Sequence, residues 1–137
     1  VEFLDTNILV YAVSRRQEDT RKSAIARSII RPSGQTVSLQ VLQEFYRVAT
    51  HPKKLGYTHQ EAVLFCDGWR QVFTVLEPTL IFFDNSLEIC YRYKTSYFDA
   101  AILAAAVQSG CQTLFSEDLS DNQYYSGVQV VNPFREV

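Results

Sequence analysis

The chain has 137 residues, 47% of them hydrophobic and 20% charged, and carries a formal net charge of −2. This length suits one domain, expected over 1–137, of ordinary globular composition, with no apolar run near the roughly 20 residues of a membrane span. The acidic balance excludes gripping a polyanion through overall surface charge, so a nucleic-acid partner would have to be met by a bound metal or a local basic patch.

Residues 1–5 read as a short strand that ends on Asp5-Thr6-Asn7, after which the apolar run Ile8-Leu9-Val10-Tyr11 starts a helix. Residues 19–30 have helical periodicity with basic residues between the apolar ones, and Pro32-Ser33-Gly34 breaks the chain. A second strand at 36–38 leads into a helix over 39–50, where Leu39, Leu42, Phe45, Tyr46 and Ala49 are expected to share the buried stripe. His51-Pro52 stops that helix.

Thr58 followed by Glu61 is a capping box for a helix running toward Val72. A third strand over 74–76 is closed by Pro78, and 79–93 is expected to be helical. Ser96 followed by Asp99 caps a helix that is apolar on nearly every face and ends at Gly110. A strand at 112–115, an acidic turn and a last strand at 128–131 complete the pattern, with 14–18, 51–57 and 119–127 as the loops expected to be most mobile. Alternating strands and helices predict a three-layer α/β/α sandwich around a mostly parallel sheet.

Cys66, Cys90 and Cys111 are odd in number, lack CxxC spacing and sit in apolar stretches. They read as buried, reduced thiols, which suits a cytoplasmic location. Only His51 and His59 could assist a zinc site, and neither is spaced for it. The chain contains no methionine, so residues before Val1 are expected to have been lost or processed.

The carboxylates carry the chemical signal. Asp5 leaves a strand and enters a helix, where it serves equally as a helix cap or as part of a site beyond the strand ends. Asp99 aligns with the apolar stripe of Ile102, Leu103 and Ala106, where a carboxylate needs a partner; its alternative is a capping role opposite Ser96. Glu44, beside Gln40 and Arg47, reads by periodicity as a solvated helix position. In the turn after the late strand, Asp118 is the best placed acid and Asp121 the second. Carboxylates gathered at one sheet edge repel one another, and a divalent cation relieves that repulsion; oxygen donors of this kind select Mg²⁺ or Mn²⁺.

In this order, Asp5-Thr6-Asn7 after a first strand, Glu44 in the helix after the second, Asp99 in YFDAAILAAA, and Ser116-Glu117-Asp118 after a late strand resemble the PIN domain. Within that family the likeness is to VapC-like toxin ribonucleases of type II toxin–antitoxin systems, and the closing VQVVNPF resembles one branch of them. The resemblance implies an endoribonuclease dependent on Mg²⁺ or Mn²⁺, in which Asp5, Glu44, Asp99 and Asp118 bind metal and activate a water that hydrolyses the phosphodiester. Thr6, Asn7 and Ser116 would orient that cluster, with Asp121 as an additional or substitute ligand. A homodimer and a small antitoxin that blocks the site are also implied. Arg15, Arg16, Arg21, Lys22, Lys53 and Lys54 are candidates for contacting the RNA backbone, although a solvated surface accounts for any one of them.

Two other readings compete. A haloacid dehalogenase-type phosphatase also opens on a strand ending in Asp, but it needs a second Asp two residues on, where this chain has Asn7. The other is a PIN-like module that acts by contact alone, binding nucleic acid or protein without cutting.

Overall fold

The computed structural model describes residues 1–135; the last two residues of the expected domain lie outside them. The chain opens on β1 (Glu2–Leu4), whose Phe3 and Leu4 are both fully buried although they point to opposite faces. A strand buried on both sides requires cover on both sides, and this requirement organises everything around it.

Asp5 caps α1 (Thr6–Val13), and a 3₁₀ turn at Gln17–Asp19 leads into α2 (Thr20–Ile29). Next come β2 (Gln35–Ser38) and α3 (Leu39–Thr50), joined without a loop because Ser38 ends the strand and its hydroxyl accepts the Val41 amide as the helix cap. The Thr58–Glu61 capping box is present and starts α4 (His59–Val72), which is followed by β3 (Thr74–Leu76). Thr79 and Ser96 cap α5 (Leu80–Tyr93) and α6 (Tyr97–Gln108), and β4 (Thr113–Phe115), β5 (Tyr124–Tyr125) and β6 (Val128–Val131) finish the described chain.

The strands lie in the order β3-β2-β1-β4-β6-β5, all parallel except β5. Helices α1 to α4 pack on one another, α5 packs on α6, and α6 contacts β2, β4 and β6, which gives the three-layer α/β/α sandwich. Residues Ala100 to Ala106 of α6 are all buried, as the apolar sequence on every face of that helix predicts. Chain order reverses direction between β1 and β4, and such switch points open a crevice beyond the carboxyl ends of the strands.

The structure differs from the sequence expectation in several places. The expected loop at 119–127 contains β5, which pairs with β6 through a turn with positive φ at both Ser126 and Gly127. That geometry matches the twist of an antiparallel hairpin, and the Ser-Gly pair between two apolar runs was its signal. In 14–18 the chain is already turning into the 3₁₀ segment, and 51–57 is tied back to α3 by the Tyr57 amide on the Ala49 carbonyl at 2.8 Å. On α3 the buried residues are Val41, Leu42, Phe45 and Ala49, whereas Leu39 and Tyr46 are exposed. Leu39 is the first residue of the helix, where no neighbouring turn covers it, and Tyr46 turns outward to bond His59 Nδ1 at 2.9 Å. All three cysteines are free, but only Cys111 is buried; Cys66 and Cys90 are half-buried. Among the described residues no helix is long and apolar enough to cross a membrane.

Candidate active site

The crevice at the ends of β1 and β4 is built from their register. Leu4 pairs with Phe115, and the next amide, Asp5 N–H, donates to the Phe115 carbonyl at 3.0 Å. This bond locks the last residue of one strand against the other, so Asp5 and Ser116 must lie side by side. The Ser116 hydroxyl donates to Asp5 Oδ2 at 2.7 Å, and the Thr6 amide donates to Asp5 Oδ1 at 2.7 Å. Asp5 is therefore a helix cap with one oxygen and part of a buried polar cluster with the other. It is only 5% exposed.

Burial raises the Asp5 carboxyl to about 6 from its ordinary 3.8; the bonds from Ser116 and Thr6 oppose the rise, and the charges of Asp118 and Glu44 add to it. Glu44 arrives from α3. Its Oε2 accepts from the Thr6 hydroxyl at 3.0 Å and its Oε1 from the Gln40 amide at 3.1 Å. The expected solvated helix position is instead half-buried and oriented on both oxygens, because α3 packs against α1.

Asp118 stands in the turn after β4. Its Oδ2 accepts from the Asn7 amide at 3.1 Å, and its backbone N–H donates to the Ser116 hydroxyl at 3.1 Å. Partial withdrawal from water raises its carboxyl and the Asn7 bond lowers it, while the charges of Glu117, Asp99 and Glu44 raise it further. Asp99 enters from the first turn of α6, half-buried, with its own amide on the Ser96 hydroxyl at 3.2 Å. Four carboxylates from four elements thus act on one another electrostatically. Their oxygens are the hard donors that a Mg²⁺ or Mn²⁺ ion takes, although among the described residues no three His, Cys, Asp or Glu side chains stand close enough to hold an ion as they are.

Asp121 is engaged elsewhere. Its carboxylate accepts the Asn132 amide at 2.8 Å and pairs with Arg135 at 3.0 Å, which holds it below its ordinary range, and it does not line the cleft. Asn7, two residues after Asp5, spends its amide on Asp118 and its carbonyl on the Glu117 N–H at 3.3 Å, so no acid follows Asp5 at the spacing the phosphatase reading needs.

Above the carboxylates lies a cleft of about 360 Å³, lined by Thr6, Asn7, Tyr11, Glu44, Glu117 and Asp118 together with Arg16, Arg47 and Lys54. The other basic candidates lie differently. Lys22 bonds Glu117 at 2.7 Å, and the Tyr11 hydroxyl donates to the second Glu117 oxygen at 2.9 Å. Arg15 stacks on the Tyr57 ring at 4.2 Å, Arg21 donates to the Phe134 carbonyl at 2.9 Å, and Lys53 is exposed away from the cleft lining. Arg47 was not a sequence candidate; its position one turn after Glu44 on α3 was the available signal.

Comparisons with known proteins bear on the fold and the family. The PIN domain family profile matches residues 3–121. Among solved structures, the Mycobacterium tuberculosis toxin VapC20, described as cleaving the sarcin–ricin loop, superposes with a TM-score of 0.66 at 21% identity over 83% of this chain and 87% of its own. A toxin–antitoxin complex from Klebsiella pneumoniae matches with a TM-score of 0.68 at 24% identity, covering 97% of this chain and 98% of that one. FitAcB from Neisseria gonorrhoeae matches with a TM-score of 0.64 at 19% identity over 99% and 100%. A comparison with curated protein sequences finds no match. The strand-end carboxylates, the parallel sandwich that carries them and the family profile lead to one conclusion: the chain belongs to the PIN domain family and resembles its VapC-like toxins.

Proposed function

We propose that this protein is a divalent-metal-dependent endoribonuclease and the toxin of a toxin–antitoxin pair. The observation that carries the reading is that Asp5, Glu44 and Asp118 each receive a bond from a dedicated polar neighbour, Ser116, Thr6 and Asn7 respectively, at the switch point of the sheet. Carboxylates that bind metal are themselves held in place by hydrogen bonds of this kind.

Asp5, Glu44, Asp99 and Asp118 are the residues that would hold Mg²⁺ or Mn²⁺. When bound, the cation neutralises charge at the scissile phosphate and lowers the pKa of a water. The chain's own part is to hold the four carboxylates in mutual repulsion, which favours entry of a cation or of protons. Thr6, Asn7 and Ser116 each hold one carboxylate oxygen, of Glu44, Asp118 and Asp5 respectively, at or beneath the cleft, and RNA enters from the open side.

An antitoxin partner is supported by likeness to the Klebsiella pneumoniae toxin–antitoxin complex and to FitAB bound to a DNA fragment. A homodimer is supported by the outer face of α5, where Leu80, Phe83, Leu87 and Tyr91 form an exposed apolar stripe at helical spacing.

The deciding experiment is calorimetric titration of Mn²⁺ into wild type and Asp99→Asn, with incubation of both on total RNA. Metal binding and discrete cuts, both lost in the variant, support the reading. Metal binding without cleavage of any RNA transfers support to the PIN-like module that acts by contact alone.

A further inference from the structure

We propose that Arg47 and Lys54 form a phosphate-binding wall of the cleft, holding RNA phosphates adjacent to the one that is cut. The inference rests on the ribonuclease reading and states how an acidic protein takes hold of its substrate.

A net charge of −2 gives the chain no general attraction for RNA, so the grip must be local. Most of the basic side chains near the site are committed. Arg16 pairs with Glu18 at 2.8 Å, Lys22 with Glu117 at 2.7 Å, and Arg27 donates to the Ala12 carbonyl at 2.9 Å. Arg47 and Lys54 line the cleft and are paired with no carboxylate among the described residues.

Arg47 makes no ion pair with Glu44. Glu44 lies three residues earlier on the same helix face, the usual spacing for an ion pair. Glu44 instead accepts from Thr6 on one oxygen and from Gln40 on the other. The guanidinium lines the cleft beside Glu44 and is left available to a ligand. Its planar fork suits a phosphate, and Lys54 adds a mobile point charge from the loop after α3. Val48 and Leu55 line the cleft next to these two cations, an apolar surface against which a ribose or base packs. Arg47 stands one helical turn from Glu44, so a strand whose scissile phosphate meets the carboxylates presents a neighbouring phosphate to Arg47.

The test separates binding from cleavage. A fluorescent single-stranded RNA is titrated with the full chain in EDTA at several KCl concentrations, using wild type, Arg47→Ala, Lys54→Ala, the double variant and Arg47→Lys. Arg70→Ala, from a separate surface recess shared with Asp67 and Gln71, is the charge-matched control. The expected result is a loss of affinity of roughly 3- to 10-fold per single substitution, with a salt slope smaller by about 0.7 for each cation removed. Arg47→Lys recovers part of the affinity, and Arg70→Ala behaves as wild type. With Mn²⁺ present, KM rises while kcat stays near wild type. Equal affinity and equal salt slope in wild type and the double variant overturn the wall, as does wild-type binding that is undetectable in EDTA. RNA that is held by Arg47 and Lys54 but never cut overturns the nuclease reading and leaves the wall standing.

Discussion

The Ser116 hydroxyl sits 2.7 Å from Asp5 Oδ2, joining two buried residues 111 positions apart. The same oxygen of Ser116 accepts the Asp118 amide, so one small side chain sets the position of two acids. Ser116→Ala leaves a buried carboxylate oxygen without its donor, and a loss of about 1–3 kcal/mol in stability is expected. Chemical denaturation measures it. A stability equal to wild type would mean that Asp5 finds another donor and that the bond is dispensable.

Asp5 links stability to pH. Its carboxyl lies at about 6 in the folded chain against 3.8 in the ordinary case, chiefly through burial. Between those values the folded chain binds a proton that the unfolded chain has released, so this contribution is complete below the lower value and is lost as pH rises through the upper one. Asp5→Asn carries no charge to bury. The stability of the variant relative to wild type is therefore expected to increase from about pH 4 to about pH 7 in EDTA and to level off above that. Thermal melts of both proteins across that range check the sign, and a flat difference would sink the assignment.

Asp118 and Asp121 are expected to differ sharply although they sit in one short turn. Losing a group that only orients a metal ligand typically costs 10- to 100-fold. Asp118→Asn should reduce Mn²⁺ affinity and RNA cleavage by at least about that much. Asp121→Asn removes the charge that pairs with Arg135, although its amide oxygen can still accept the Asn132 N–H, and is expected to lower stability while sparing metal affinity per folded molecule. Loss of metal binding in Asp121→Asn would reverse the two roles.

Glu117 is predicted to be a positioning residue. With Lys22 on one oxygen and Tyr11 on the other, it braces the turn that carries Asp118 against α1 and α2. Lys22→Met should weaken Mn²⁺ binding by roughly 10-fold through a misplaced Asp118, and Lys22→Arg should restore most of it. A Lys22→Met protein that melts lower but binds Mn²⁺ as wild type does would reduce the network to packing.

The outer face of α5 carries the last prediction. Leu87→Glu places a charge within the exposed stripe of Leu80, Phe83 and Tyr91 and should convert a dimer to a folded monomer, read by light scattering. A wild-type monomer at micromolar concentration would refute the homodimer.

Much of this protein is determined locally. The caps at Ser38, Thr58, Thr79 and Ser96 and the buried run of α6 depend on residues within a few positions of one another, so helix starts and the α/β alternation follow from composition and spacing. The order Asp5, Glu44, Asp99, Asp118 is likewise a property of the chain as written. The pairing of those acids with their neighbours is not. Thr6 reaches Glu44 and Asn7 reaches Asp118 only because β1 lies between β2 and β4, a consequence of how the sheet closes. Asp121 is bonded to the C-terminal segment while Asp118, three residues earlier, is bonded to Asn7, a difference equally invisible in the chain as written. Sequence by itself determined which groups the protein owns and which element each would ride on; tertiary structure decided which of them share an oxygen, because partners so far apart in the chain meet only after the strands have paired.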